Sequence, residues 1–355
     1  MRLRYLVAVV AAAASFSAHA ANAINLGHYS VSGIYALDIL KGTAGGISGL
    51  EASAVAYARD RIDPNTGKLG TPFFVGDEGT GVVEISPTGQ TIGSSLFDWT
   101  GTGSTKHDTE ALTYMGGGML VVGEERLQDA YRFNYTANTT VTLANSFVST
   151  SNDTVGNDGM EGISYDPRNG SFVTIKQDKP EDIRAGALSF AAAAGGLPAS
   201  LPKDGISPLG GGTSTLTQLF DPTLMGLSTL SDVQTLSPVD ALAGTAAADN
   251  LLVLSLGSRK LVEVDRSGTI LSVFDLSSVL NSVSGDFNAI EGVTVDQNGT
   301  IYLVAEQLQG AGAPLNAPSQ LIVLTAPVPE PGTYAMMAVG LGLVGFAARR
   351  RKWAA

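Results

Sequence analysis

The chain reads as all-β, a single ring of five β-blades, on three observations. A strand-turn-strand unit recurs along its body; 43 of its 355 residues are glycine; and its 44% apolar residues fall in short runs, which suit strands joined by tight turns better than a helical bundle. Repeats of 40 to 60 residues, each too small to bury its own face, indicate a β-propeller. A β-sandwich has no need of the same strand-turn-strand unit five times, four of them Glu-led, and a six-bladed ring is the alternative count.

Taken in order, the chain opens with Arg2 and Arg4, an apolar run from Leu6 to Ala14, and Ala18-His19-Ala20, the small-x-small form of a secretory cleavage site. Residues 1–20 therefore read as a signal peptide cut after Ala20. The stretch from Ile24 to Asp38 alternates polar and apolar residues and is expected to close the ring by pairing near Leu321 to Leu324. The ring itself spans 24–326.

Five units follow. Glu51-Ala-Ser-Ala-Val-Ala-Tyr leads, after a longer loop, to Phe73-Phe-Val-Gly-Asp77-Glu78. Glu110-Ala-Leu-Thr-Tyr leads through a Gly-rich turn to Met119-Leu-Val-Val-Gly-Glu124-Glu125, and Glu161-Gly-Ile-Ser-Tyr-Asp-Pro leads through Asn169-Gly170 to Phe172-Val-Thr-Ile. The weakest unit starts near Gln234 and reaches Leu251 to Ser255; the last runs from Glu291-Gly-Val-Thr-Val-Asp through Asn298-Gly299 to Ile301-Tyr-Leu-Val-Ala-Glu306. Each is a hairpin signature. The starts, at 51, 110, 161, about 234 and 291, are spaced by about 60 residues. Third strands are legible at Gly81-Val-Val-Glu-Ile, Ala130-Tyr-Arg-Phe-Asn-Tyr and Lys260-Leu-Val-Glu-Val. The segment 185–217, rich in Ala, Gly, Pro and Ser, breaks the rhythm and is expected as a surface loop outside the ring.

The tail, 328–355, holds Pro329-Glu330-Pro331, an apolar stretch from Tyr334 to Ala348, and Arg349-Arg350-Arg351-Lys352. An apolar run of roughly 15 residues falls short of a comfortable bilayer span, and the basic cluster beyond it favours the cytoplasmic side. The order resembles the PEP-CTERM sorting signal of Gram-negative bacteria. That resemblance implies export across the inner membrane, transient membrane insertion through the C-terminal helix, processing by exosortase, and delivery to the envelope, surface or extracellular matrix. Gly340-Leu-Gly342-Leu-Val-Gly345 matches a dinucleotide fingerprint in letters alone, since it has no βαβ setting.

Two of the 21 basic residues lie in the leader and four in the tail, so 15 face 33 acids and the exported part carries about −18. Such a surface repels nucleic acid and attracts cations. The chain has no cysteine, which excludes thiol catalysis and thiolate metal sites and leaves packing or bound ions to hold the fold. Only His28 and His107 remain after export, and Gly46-Ile-Ser-Gly-Leu lacks the spacing of a nucleophile elbow. His107 reads as a turn residue, and the Tyr and Phe residues read as core.

The innermost strand of each blade lines the channel, so Glu51, Glu110, Glu161 and Glu291 are expected around one opening, with Asp77, Glu78, Glu124, Glu125 and Glu306 as a second acidic tier. A ring of carboxylates repels itself unless a hard cation with oxygen ligands neutralises it, and Ca2+ fits. The metal-ligand candidates are Glu51, Glu110, Glu161, Glu291, Glu124 and Glu306.

From about 46 to 325 the chain resembles the SdiA-regulated domain family, related to NHL-type propellers. The resemblance is carried by Asp108-Thr-Glu-Ala-Leu-Thr-Tyr with Val122-Gly-Glu-Glu-Arg126, by Glu161-Gly-Ile-Ser-Tyr-Asp, and by Glu291-Gly-Val-Thr-Val-Asp with Tyr302-Leu-Val-Ala-Glu306. It implies a five-bladed propeller with a calcium site and no established reaction. The fourth unit departs from the pattern, having no leading Glu. Two functions stay open: a calcium-stabilised binding module contacting an extracellular polysaccharide or a surface protein, and a metal-dependent hydrolase acting on a phosphoester, ester or lactone through channel carboxylates.

Overall fold

A computed structural model describes residues 23–37, 51–306 and 319–326, apart from 154, 198, 199, 278, 280, 281, 284, 285 and 288. The leader with Ala20, residue Asp38, and the tail with Pro329, Glu330, Pro331, the apolar stretch and Arg349, Arg350 and Arg351 lie outside the described residues. Among the described residues no helix is long and apolar enough to cross a membrane.

Five antiparallel sheets form the ring. The first blade is Ala52–Ile62, Leu69–Gly76, Gly81–Ile85 and Thr91–Asp98, with Thr139–Thr142 added in parallel at its outer edge. The second is Thr109–Gly116, Met119–Glu124, Asp129–Asn134 and Phe147–Ser149. The third is Met160–Asp166, Ser171–Lys176, Asp182–Gly186 and Thr217–Gln218; the fourth is Leu230–Thr235, Leu251–Ser255, Lys260–Val264 and Ile270–Asp275. The fifth takes Ile290–Val295, Ile301–Ala305 and Gln320–Thr325 from the end of the ring and Ser30–Ala36 from its beginning. Tyr35 lies opposite Leu321 and Ile34 opposite Ile322, so the N-terminal strand closes the circle as its alternation predicts. The fourth blade begins at Leu230, a few residues ahead of the Gln234 read from the sequence.

Successive strand residues point to opposite faces, and this alternation distributes the core. Phe73 joins Val75, Leu120 and Tyr131 between the first and second blades, whereas Phe74 joins Val83, Val304 and Leu321 between the fifth and first. Three further apolar clusters fill the remaining interfaces. Each fully buried Phe or Leu in them contributes roughly 1.5 to 3 kcal/mol.

All five innermost strands carry the same irregularity near their start, a one-residue bulge. It falls at Ser53, Glu110, Glu161, Ser231 and Glu291, and the next residue is small in four blades: Ala54, Ala111, Gly162 and Gly292. Smallness is required there. A Cβ on Gly292 would lie 2.9 Å from the Cα of Ala54, and one on Gly162 would lie 2.8 Å from the nitrogen of Val233.

Hydroxyls stitch these strands across the seams. Tyr165 N donates to Thr113 Oγ1 at 3.0 Å, Thr235 N to Ser164 Oγ at 2.9 Å, and Tyr57 N to Thr294 Oγ1 at 3.1 Å. Thr113, Ser164 and Thr294 hold one register position, two residues beyond the small one; Gln234 stands there in the fourth blade and accepts from Thr294 Oγ1 at 3.0 Å. Ala56 fills the position in the first blade without a hydroxyl.

The insertion differs from expectation. It lies inside the third blade, between its third and outermost strands, and is laddered rather than irregular. Leu188–Ser189 pairs with Thr213–Ser214, and Ala193–Gly195 with Leu209–Gly210. The arm leans on the second blade, where Phe147 N donates to Ala191 O at 2.9 Å and Gly212 N to Phe147 O at 2.8 Å. Backbone pairing with a neighbouring blade explains why a Gly- and Ala-rich stretch holds regular structure.

Candidate metal centre

The bulges set a fivefold register that assigns each acid its place. Immediately after each second strand comes Asp77, Glu125, Gln177, Leu256 or Glu306, and its N–H donates back to the carbonyl of Glu51, Asp108, Gly159, Thr229 or Ala289. Three tiers result, one at the bulge, one after the second strand and one before the first. The second blade has an acid in all three, the first and fifth in two, the third in one, and the fourth offers Ser231, Leu256 and Thr229.

Glu110, Glu161 and Glu291 therefore hold the equivalent inner positions that their motifs predict. Glu51 does not; the bulge in its strand falls on Ser53, so Glu51 sits two residues upstream and corresponds to Asp108. It still reaches the mouth. Glu51, Asp77 and Glu306 each present a carboxylate oxygen, and the three oxygens lie within 4.8 Å of one another. Glu78 also belongs here, its Oε2 accepting from Glu51 N at 2.9 Å.

Glu124 takes another direction. Adjacent strand residues face opposite sides, and while Glu125 turns to the mouth, Glu124 turns into its blade. There Leu127 N and Ser104 Oγ each donate to it at 2.7 Å. Both oxygens are committed to the second blade, so Glu124 is a turn anchor, apart from the cluster it was grouped with by sequence.

Burial and mutual repulsion shape the electrostatics. Glu110 and Glu161 are 8% and 4% exposed. Their carboxyls are pushed well above the usual range, first by burial and then by neighbours: Glu291 and Glu161 act on Glu110, and Glu125 acts on Glu161. Glu291 is raised in the same way, by burial and then by Glu306. Nearer solvent, burial followed by Glu51 raises Asp77 to about 6 and Glu306 to about 7. Burial raises Glu78 and Glu125 to about 8. Arg126 offsets part of this charge at the edge, its Nε donating to Asp108 Oδ2 at 2.6 Å while its Nη1 lies 3.6 Å from Asp204 on the inserted arm.

Whether an ion fits is tested by Asp77. Its Oδ1 is buried without a hydrogen-bond partner, a state that costs free energy unless something positive meets it. The donors are all carboxylate oxygens, the set that hard divalent cations take.

The fourth blade has an acid of its own that sequence reading overlooked. Asp232 follows the bulge where the other blades carry Ala or Gly, is 1% exposed, and accepts from Val233 N and Val293 N, both at 2.7 Å. It ties the fourth blade to the fifth. Burial pushes its carboxyl well up. No Glu-Gly motif marks it, so only the register reveals it. His107 is the turn residue its setting predicts, with φ of 62° and its ring stacked 4.8 Å from Trp99.

The SdiA-regulated family model matches residues 35–307, most of the chain, taking in the first four blades and the two inner strands of the fifth. The chain belongs to the SdiA-regulated family. A second match, the PEP-CTERM protein-sorting motif, covers 327–352 and implies export with exosortase-mediated processing. Among solved structures, this SdiA-regulated propeller is similar to Myxococcus xanthus glutaminyl cyclase, with 11% identity over 84% of this chain and 97% of that one and a TM-score of 0.44. It is also similar to a putative oxidoreductase (glucose dehydrogenase) from Thermus thermophilus, at 10% identity, 82% and 99% coverage and a TM-score of 0.39. A putative gluconolactonase matches at 12% identity, 82% and 98% coverage and a TM-score of 0.38. At these values no activity carries over from them to this family member.

Proposed function

We propose that the acidic mouth binds a divalent cation, calcium by its donor set, and that the ion-stabilised propeller serves as an exported binding module of the cell envelope or matrix. The observation that carries this reading is the meeting of Glu51, Asp77 and Glu306 within 4.8 Å. The buried Glu110 and Glu161 and the partly buried Glu291 stand at the next register position inward. As they ionise, their negative potential adds affinity whether or not they touch the ion, because opposite charge in a water-poor site is weakly screened. An extracellular polysaccharide or a surface protein is the partner we assign to the module.

Calcium titration by calorimetry tests the site. Saturable binding that Asp77→Asn weakens by about tenfold, ~1.4 kcal/mol, supports it; no heat in the unaltered protein removes it. The same ion would serve a hydrolase of esters, lactones or phosphoesters as Lewis acid. Turnover in such a substrate panel that follows calcium and is lost in Glu110→Gln would transfer the assignment to catalysis.

A further inference from the structure

The ring has two mouths, and the chain leaves it at the one opposite the acids. Glu306 follows the second strand of the fifth blade at the acidic mouth, where Ala305 lies opposite Gln320. Gln320–Thr325 therefore starts at that mouth and runs away from it, and Thr325 ends at the far face beside Ser30. The sorting-motif match begins at 327, and its apolar stretch begins at Tyr334, eight residues after Ala326. Eight residues reach at most about 29 Å. Going back past a six-residue strand to the acidic side would use about 20 Å of that, so the tail holds the far face nearest to any bilayer it enters.

The residues on the far face suit such a surface. Tyr57, Tyr114 and Tyr165 hold one register position there, three beyond the small residue of their strands, and are half-buried. The first-blade strand Ala52–Ile62 continues five residues past its tyrosine, whereas those of the second and third blades end two and one residues past theirs. The long hairpin stands over the opening, which Leu69 borders together with the three tyrosines. At its end Ile62 and Leu69 lie opposite each other, 61% and 60% exposed, and the exposed Lys68 is next to them. Apolar side chains beside a lysine, backed by tyrosines, are the residue types that settle at a bilayer surface. Acids near the hairpin are engaged. Asp60 accepts from Tyr114 Oη and Gly117 N, Asp63 from Asn65 N and Thr66 Oγ1, and Asp240 from Arg59. The clustered carboxylates lie at the opposite mouth, and an anionic bilayer would repel them.

We propose that, while the tail is inserted, the propeller lies on the bilayer by its tyrosine-lined face, with the tip of the first-blade hairpin among the lipid headgroups and the acidic mouth turned outward. This orientation rests on insertion of the tail, a part of the sorting reading, and is independent of any ion at the acidic mouth.

A chain without cysteine accepts single labelled positions cleanly. The exported chain, Ala21 to Ala355, carries Asn65→Cys at the hairpin tip or Lys260→Cys at the opposite end, where Lys260 is exposed and pairs with Ser255. Each is labelled with bimane and reconstituted into vesicles of phosphatidylethanolamine and phosphatidylglycerol that contain a lipid spin-labelled at its headgroup. Flotation with the vesicles is read first and quenching second. The expected result is flotation of both chains, with bimane at position 65 quenched severalfold more than at position 260. Ile62→Ser with Leu69→Ser should remove most of that difference and leave the melting temperature unchanged, since both side chains are exposed. Floating chains quenched equally at the two positions, or more at 260, overturn the orientation and leave tail insertion standing. A difference that survives the paired serine substitutions overturns the hairpin as the contact. Chains that do not float overturn insertion itself, and the orientation falls with it.

Discussion

Glu110, Glu161 and Glu291 are carboxylates held where ionisation is hardest, and that sets the pH dependence of the protein without an ion. Their folded-state pKa values lie above those of the unfolded chain, as do those of Asp77 at about 6, Glu306 at about 7 and Glu78 and Glu125 at about 8. Stability from such groups is fully present below the unfolded pKa and is lost as pH rises through the folded values. Metal-free protein should accordingly melt lower at pH 8 than at pH 5, and Glu110→Gln should raise its melting temperature at pH 8 by removing one of the repelling charges. A Glu110→Gln variant that melts lower than the unaltered protein at pH 8 without metal would show that this carboxyl is a net stabiliser. Glu124→Ala makes the contrast. It strands Leu127 N and Ser104 Oγ and should cost about 1 to 3 kcal/mol at any calcium concentration, read from urea unfolding, while leaving calcium affinity unchanged.

Innermost strands pass each other so closely that their polar links matter as much as their apolar faces. Thr113→Val removes the acceptor of Tyr165 N and should destabilise by about 1 to 3 kcal/mol, measured by urea unfolding; an unchanged midpoint would mean that water or a neighbour replaces the hydroxyl. The blades themselves were legible in sequence because Glu-Gly starts, Asn-Gly turns and alternating strands repeat at one spacing, and the closing strand announced itself by alternation opposite Leu321. The register within the first blade was not legible. A bulge inserts a residue, so aligning Glu51 with Glu110 by letter places it two positions out, and the true equivalent, Ser53, carries no acid. Asp232 escaped for a related reason, since it occupies the slot of a small residue and no motif surrounds it. Tyr57, Tyr114 and Tyr165 read as core because alternation shows which face a residue takes and not whether that face opens into a cavity, as theirs does.

Across the whole molecule, charge and address belong together. An exported chain of about −18 with one cluster of its acids drawn together at a mouth should lean on cations outside the cell, where disulfides are absent from its means of support. Removing residues 329–355 should release soluble protein from the envelope fraction; identical fractionation of the shortened and full-length chains would contradict the sorting role of the PEP-CTERM match. The claim on which the account turns is that the acidic mouth is completed by a divalent ion, and thermal melting with calcium against chelator between pH 5 and pH 8 tests it most directly. Calcium should raise the melting temperature in proportion to RT ln(1 + [L]/Kd), the gap should widen as pH rises and the raised carboxyls ionise, and potassium chloride at equal ionic strength should do much less. Identical melting in calcium and chelator at every pH, with no metal found by elemental analysis of the purified protein, would contradict it.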